Sequence, residues 1–433
     1  MKNKYDVIIV GAGPAGITAA YLLAKAGLEV VLFERGEFPG EKNMFGGVLY
    51  GSVLNQVVPN YWEEAPLERC ITRKVITFLS QDASVSVDVK SKNFGQPPYN
   101  GFTVRRARFD RWYAQKAVEA GALLVTRTVV DDLLYKDGRV AGVRARREQG
   151  ELWSDVVIAA DGVNSLLARK AGLRRELDPS HVNLGIKEVI QLPQRTIEER
   201  FNLAGNEGVA NEFVGGLEGN VHGGAFVYTN KDSLSVGIVA QLPSLKQEKS
   251  RIYDLLEGFK SHPMIQGLVK DGVIKEYSAH LVPEAGLHMM PQLYTDGMLV
   301  VGDAAGFVLA TGLYLEGVNY AMASGMAAAR TVQEAVARRD FGKASLARYT
   351  ALLEENGVLT DLRQFKRAPE LMGNPRLHEL YPRLVCELGE SIFTVDGQPR
   401  PKLLPLALKK MRGQTTIWQL LKDGLEAGRS LLW

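Results

Sequence analysis

Asp6-Val7-Ile8-Ile9-Val10-Gly11-Ala12-Gly13-Pro14-Ala15-Gly16 decides the fold of this chain. The run before the first glycine is rich in β-branched residues and reads as a strand buried on both faces, as in a parallel sheet. Three glycines at GxGxxG spacing follow, and a helical stretch carrying Ile17, Ala20, Tyr21, Leu23 and Ala24 then runs to Gly27. A second strand, Val30 to Phe33, stops at Glu34-Arg35. The glycine pattern alone is common; a strand before it and a helix after it make it specific. Gly11 permits the tight turn, Gly13 lets a pyrophosphate approach the backbone, and Gly16 lets helix and strand pack closely. Pro14 and Ala15 then open a helix whose free N–H groups and dipole favour phosphate. Glu34 ends the second strand where a carboxylate can accept hydrogen bonds from a ribose.

Two further strand ends extend the pattern. Asp155 to Ala160 reads as a buried strand closing in Asp161-Gly162, and Met298 to Val301 as another closing in Gly302-Asp303. Both place polar atoms at the carboxyl edge of a sheet, where ligands of open α/β sheets bind. An aspartate at a strand end also caps the next helix, and both readings stand for Asp161. A long Ala-rich helix is expected from Glu316 to Arg338, with Gly312 and Gly317 allowing close approach at its positive end. Between these segments, Val85, Val87 and Val89 alternate within residues 73–104, and Leu234, Val236, Ile238 and Ala240 alternate within 180–290. The expected fold is α/β: a discontinuous Rossmann-like domain (1–72, 101–175 and 291–345), a second antiparallel-sheet domain (73–100 and 176–290), and a helical C-terminal region (346–433).

Together the GxGxxG with Glu34, the Asp161-Gly162 pair and the Gly302-Asp303 motif resemble the large FAD-dependent group containing aromatic hydroxylases, geranylgeranyl reductases and electron transfer flavoprotein:quinone oxidoreductases. Finer segments are similar to the FixC branch of the last of these. They are Gly40-Glu41-Lys42-Asn43 with Gly46-Gly47, Arg106-Ala107-Arg108-Phe109-Asp110, Tyr277-Ser278-Ala279-His280 leading to Pro283-Glu284-Ala285-Gly286, and Ala323-Ser324-Gly325. The resemblance implies that Gly11, Gly13, Gly16 and Glu34 hold the ADP half of FAD, with Pro14, Ala15, Arg35 and Val129 as further cofactor-binding residues. It implies that Arg106 approaches the cofactor, that Asp161, Gly302 and Asp303 hold its middle, and that Gly312 with Gly317 face its ring, with Gly162 and Val318 as further cofactor-binding residues. Arg106 also reads as a surface helix residue. Lys42 and Asn43, with Gly46 and Gly47, either line the flavin approach or serve only their loop. Glu316 stands where related sequences carry Lys or Arg; a carboxylate there disfavours an anionic reduced flavin, unless it turns away and caps its helix.

The implied activity is transfer of electrons from electron transfer flavoprotein subunits to a membrane quinone, menaquinone by expectation, with a bifurcating complex as one setting. The alternative is an NAD(P)H-dependent, geranylgeranyl-reductase-like or hydroxylase-like enzyme. No second strand-embedded GxGxxG marks a nicotinamide site. Larger members of the group hold an iron-sulfur cluster on a cysteine-bearing extension. This chain has only Cys70 and Cys386, which excludes a four-cysteine cluster of its own and implies a small ferredoxin-like partner subunit. Its six histidines show no metal-ligand spacing, so no metal is expected. His280, with Glu284 nearby, is the candidate for proton delivery to quinone.

Lys+Arg 52 against Asp+Glu 49 gives a formal net charge of +3, too balanced for nucleic-acid binding by bulk electrostatics. No secretory pattern, few cysteines and no apolar run of about 20 residues suggest a cytoplasmic protein in peripheral contact with the inner membrane face. Between Pro401 and Trp433, Lys402, Lys409, Lys410, Arg412, Lys422 and Arg429 face only Asp423 and Glu426, interleaved with leucines, Ile417, Trp418 and Trp433. That composition suits an anionic membrane surface, a partner's docking face or plain core packing.

Overall fold

A computed structural model describes residues 3–432. Two compact units share the chain: one takes the described residues up to Glu68, Val104–Val182 and Leu281–Lys366, the other Arg69–Thr103, Asn183–His280 and the described residues from Arg367 onward.

The first unit is built on an eight-stranded sheet whose central path runs Tyr294–Thr295, Met298–Val300, Glu151–Ala159, Lys4–Val10, Val30–Phe33, Leu123–Val125. From Met298–Val300 to Leu123–Val125 every pairing is parallel. Val7, Ile8 and Ile9 are fully buried, as expected of a strand covered on both faces. The register decides the function of this edge: Val300, Ala159, Val10, Phe33 and Val125 are partners along one rung. The residues just beyond them, including Gly11, Glu34, Asp161 and Gly302, therefore leave the sheet at the same carboxyl edge. Beside this path the hairpin Val130–Lys136 and Arg139–Ala145 joins through Glu151–Ala159.

Helix Pro14–Lys25 packs against helix Val318–Arg338. A methyl at Gly325 would lie 2.4 Å from the Ala15 carbonyl oxygen, so small residues set how closely the two helices approach. The second of them begins at Val318 rather than at Glu316. Glu316 lies instead in a two-residue strand paired with Leu309, and Gly317 is the N-cap.

The second unit's sheet runs in the order Val273–Pro283, Val182–Gln191, Ser233–Gln241, Gly223–Thr229, Glu207–Gly215, Leu67–Leu79, Gly101–Val104, with Ser84–Lys90 added to Leu67–Leu79. The resolved registers are antiparallel except that of Glu207–Gly215 with Leu67–Leu79, which is parallel. The alternation of Leu234, Val236, Ile238 and Ala240 places all four in one buried core with Ile186, Val227 and Phe259. Val87 and Val89 alternate equally well yet are exposed, because their strand is an added edge. Helices Leu380–Phe393, Leu403–Met411 and Ile417–Leu431 end the chain. Trp433 lies outside the described residues. Among the described residues, no helix is long and apolar enough to cross a membrane.

Candidate cofactor site

The glycine turn is shaped by three different constraints. Gly11 has φ +107° and a methyl there would lie 2.1 Å from the Ala160 carbonyl oxygen; a methyl at Gly16 would lie 2.0 Å from the Gly11 carbonyl oxygen. Both positions are closed by the protein's own backbone. Gly13 is open: its nearest neighbour would be Asn43 Nδ2 at 4.0 Å. Gly13 is also the N-cap of helix Pro14–Lys25, with no side-chain cap and no acidic residue in the first turn. The N–H groups of that turn therefore face outward beside an empty Cβ position, which is the donor set an anion needs.

Glu34 is buried, and both its oxygens accept from backbone at this edge. Oε2 accepts from the Ala12 N–H (3.1 Å) and Oε1 from the Gly36 N–H (2.7 Å). Each oxygen keeps a further lone pair for a hydroxyl. The Glu34 carbonyl accepts from the Thr128 N–H, which brings Thr128 and Val129 alongside. Arg35, next in the chain, is exposed.

A second polar cluster forms at the start of helix Arg106–Glu119. Arg106 donates from Nε and Nη2 to Asp110 Oδ1 and Oδ2, both at 2.7 Å, and Asn43 Nδ2 donates to Oδ2 at 2.8 Å. Asp110 is fully buried and Arg106 nearly so. Its guanidinium lies 5.4 Å from the Phe45 ring centre. Arg106 is thus no surface residue, and Gly40 is fitted beneath it, since a methyl there would lie 2.5 Å from the Arg106 carbonyl oxygen. Lys42, in contrast, is exposed and pairs with Glu41 at 3.4 Å.

At the far end of the same edge stand two aspartates. Asp161 Oδ2 accepts from the Leu167 N–H at 2.9 Å, so it caps the short helix Leu166–Lys170, while Oδ1 is buried with no partner among the described residues. Burial pushes the Asp161 carboxyl up to about 6, against the opposing pull of backbone N–H groups and Arg174. Asp303 sits in the first turn of the 3₁₀ helix Gly302–Ala305. Burial raises its carboxyl too, and the nearby Arg106 opposes the rise. Gly302 N–H is held by Ser324 Oγ at 2.9 Å, tying the motif to helix Val318–Arg338.

Among the described residues, that helix opens without a side-chain cap at Gly317, and its first N–H groups lie outside the intrahelical ladder. Glu316 accepts from Asn319 Nδ2 in the first turn of that helix. Tyr320 donates to Asp361 Oδ2 at 2.8 Å, which fixes the first turn. Gly312 (φ +83°) lies in the turn of the Leu309–Ala310 and Leu315–Glu316 hairpin that leads into it.

Known proteins match this chain over its full length. It is 42% identical over 429 residues, 99% of each chain, to the probable electron transfer flavoprotein-quinone oxidoreductase YdiS of Escherichia coli strain K12. It is 40% identical to Protein FixC of Azotobacter vinelandii over 100% of both chains. Residues 368–432 match the ETF-QO/FixC family C-terminal domain, and residues 6–198 match the FAD dependent oxidoreductase family. The chain belongs to the ETF-QO/FixC family. Among solved structures, a geranylgeranyl bacteriochlorophyll reductase-like protein from Thermoplasma acidophilum shares its fold, with TM-score 0.72 and 22% identity over 98% of this chain and 99% of that one.

This member of the ETF-QO/FixC family is an FAD-dependent oxidoreductase, and its residues fit that cofactor. Gly13 leaves room where a Cβ would otherwise stand, two helix N-termini offer unspent donors, and Asp161 Oδ1 is an orphaned buried acceptor. All sit in the first unit. Sequence reasoning missed Asp110 as a positioning group, although Arg106 and Asp110 are four apart at a helix start, where such pairs meet. Gly40 stands out in the sequence only within a family-like segment, and its place beneath Arg106 is a long-range contact. His280 is half-buried on strand Val273–Pro283 of the second unit; in the first unit the Glu284 N–H donates to the His181 carbonyl.

Proposed function

We propose that the chain takes electrons from an electron transfer flavoprotein and delivers them to a membrane quinone, with menaquinone as the expected acceptor. The observation that carries this reading is the full-length likeness, at 42% identity, to a protein named for that reaction, joined to a cofactor edge whose residues fit FAD. When bound, FAD supplies a carrier that is reduced and reoxidised reversibly. In this reading the N–H groups after Gly13 bind the pyrophosphate and Glu34 orients the ribose. The backbone around Val129 borders the adenine end.

Arg106, locked by Asp110, meets the middle of the cofactor with Asp303 and Asp161, and the turn Gly312 to Val318 borders the ring. The uncapped N-terminus at Val318 stabilises negative charge there, while Glu316 acts against it. The quinone side falls to residues 73–100 and 176–290, with His280 and Glu284 as candidate proton donors. With two cysteines, this chain leaves an iron-sulfur centre to a small ferredoxin-like subunit. Contact with the inner face of the cytoplasmic membrane is peripheral, as access to quinone requires.

Rapid mixing tests the reading. Reduced electron transfer flavoprotein is expected to bleach the bound flavin, and a menaquinone analogue to restore its colour. Bleaching by NADPH with turnover of an organic substrate, and none by the flavoprotein, would overturn it.

A further inference from the structure

The helix Ile417–Leu431 is inside out. Its buried residues are Asp423, Gly428 and Ser430, whereas Trp418 is 82% exposed and Leu421, Leu425 and Leu432 point to solvent with it. A surface helix ordinarily turns its apolar stripe to the core and its polar face to water. Here the polar face is the moored one. Arg376 donates from Nε to Asp423 Oδ2 at 2.6 Å and from Nη2 to Oδ1 at 2.8 Å, Gln419 donates to Oδ1 at 2.9 Å, and the Tyr381 hydroxyl donates to Oδ2. These donors hold the Asp423 carboxyl far below the usual carboxylate range. The helix is therefore moored chiefly through its polar face.

Exposed apolar residues also mark the preceding helix. Leu403 and Leu404 are exposed at the start of helix Leu403–Met411, which buries only Leu406. Apolar residues gathered on one outward helix face, as Trp418, Leu421, Leu425 and Leu432 are, mark an interaction surface. Lys409 and Lys410 in the last turn of helix Leu403–Met411, Arg412 after it, and Lys422 and Arg429 on the final helix outnumber the exposed Glu426, so this segment carries net positive charge. We infer that this face seats the protein on an anionic lipid surface, the final helix lying in the headgroup plane with Trp418, Leu421 and Leu425 in the outer acyl region. This deepens the proposed peripheral membrane contact and rests on it. Charge selects lipid over a second copy: a two-fold contact sets the same patch against itself, bringing Lys409, Lys410 and Lys422 towards their own images. Phosphatidylglycerol headgroups are complementary to them, and the Trp-and-leucine stripe matches an interfacial helix.

The test is sedimentation of the full-length holoprotein with phosphatidylcholine vesicles, with and without phosphatidylglycerol. Wild type is expected to bind the anionic vesicles. The combined variant Trp418→Ser, Leu421→Ser, Leu425→Ser is expected to bind at least ~tenfold more weakly, with unchanged flavin absorbance and circular dichroism. Equal binding of the variant and wild type to anionic vesicles overturns the assignment of this face while leaving membrane contact intact. Wild type that binds no vesicle overturns both. A wild-type dimer that the variant dissociates in analytical ultracentrifugation makes a second copy the occupant and overturns the lipid assignment.

Discussion

Gly13→Ala separates the two jobs of the glycine turn, because Gly13 alone among its three glycines faces open space. Its φ of −85° and ψ of 178° lie in the extended region open to any L residue. Its added methyl meets nothing closer than Asn43 Nδ2 at 4.0 Å. Alanine as N-cap costs about 0.5–1 kcal/mol relative to glycine, and the stiffer unfolded chain returns about 0.4–1 kcal/mol. The apoprotein should therefore unfold within about 0.5 kcal/mol of wild type. Cofactor affinity should not survive as well. A methyl beside the helix N-terminus displaces the pyrophosphate from one charge-assisted hydrogen bond worth about 1.5–3 kcal/mol, so FAD should bind about ten- to 150-fold more weakly. Gly16→Ala is the contrast: its methyl falls 2.0 Å from the Gly11 carbonyl oxygen, and it should lower apoprotein stability itself. Denaturant unfolding of the apoprotein and quenching of flavin fluorescence read the two effects separately. Wild-type FAD affinity in Gly13→Ala, or an apoprotein as unstable as that of Gly16→Ala, would refute the reasoning.

Asp110→Ala leaves the buried Arg106 guanidinium without its two-pronged partner and should destabilise the fold by about 3–5 kcal/mol in urea unfolding; a loss below about 1 kcal/mol would mean that Arg106 finds another partner. Asp161 has its carboxyl raised from 3.8 to about 6, so its native state holds a proton that the unfolded chain has released. The protonated form is stabilising below the unfolded value, and that contribution is lost as pH rises to about 6. Allowing for its partial exposure, the loss is about 1–3 kcal/mol. Asp161→Asn should flatten this part of the stability profile, and an unchanged slope would assign the titration elsewhere. Glu316→Gln removes a negative charge at the entrance to helix Val318–Arg338 and should raise the flavin midpoint potential by about 10–30 mV in spectroelectrochemical titration, with a fall contradicting the placement of that carboxylate near the ring.

The carboxyl edge was legible because its signals are local: each strand is a short β-branched run, and each ends in a residue whose chemistry suits a ligand. Gly11, Glu34, Asp161 and Gly302 are individually readable, but the rung that aligns Val300, Ala159, Val10 and Phe33 is a long-range register that no window of sequence contains. The same limit hid the parallel pairing of Glu207–Gly215 with Leu67–Leu79, segments too distant for any turn to set their direction. Helix starts failed for a smaller reason. Helical spacing continues smoothly through Glu316, and only its pairing with Leu309 moves the start to Val318.

Periodicity is blind in a further way, visible in the two long helices of the chain. Val318–Arg338 and Ile417–Leu431 both carry apolar residues at helical spacing, yet the first buries that stripe and the second exposes it. Apolar spacing fixes where the stripe lies on the helix, not which way the helix turns it within the protein. What sets the orientation is the partner. Gly325 lets the first helix press on Ala15, so small residues and close approach draw its apolar face inward. Asp423 draws the second the other way, because a buried carboxylate with Arg376, Tyr381 and Gln419 around it is far costlier to unpair than a few leucines are to leave in water. Severing that contact with Asp423→Ala should therefore release the helix: amide exchange over residues 417–431 should rise well above wild type in the absence of vesicles and fall back when anionic vesicles are added. Protection unchanged by the substitution would show that the leucines, after all, hold the helix in place.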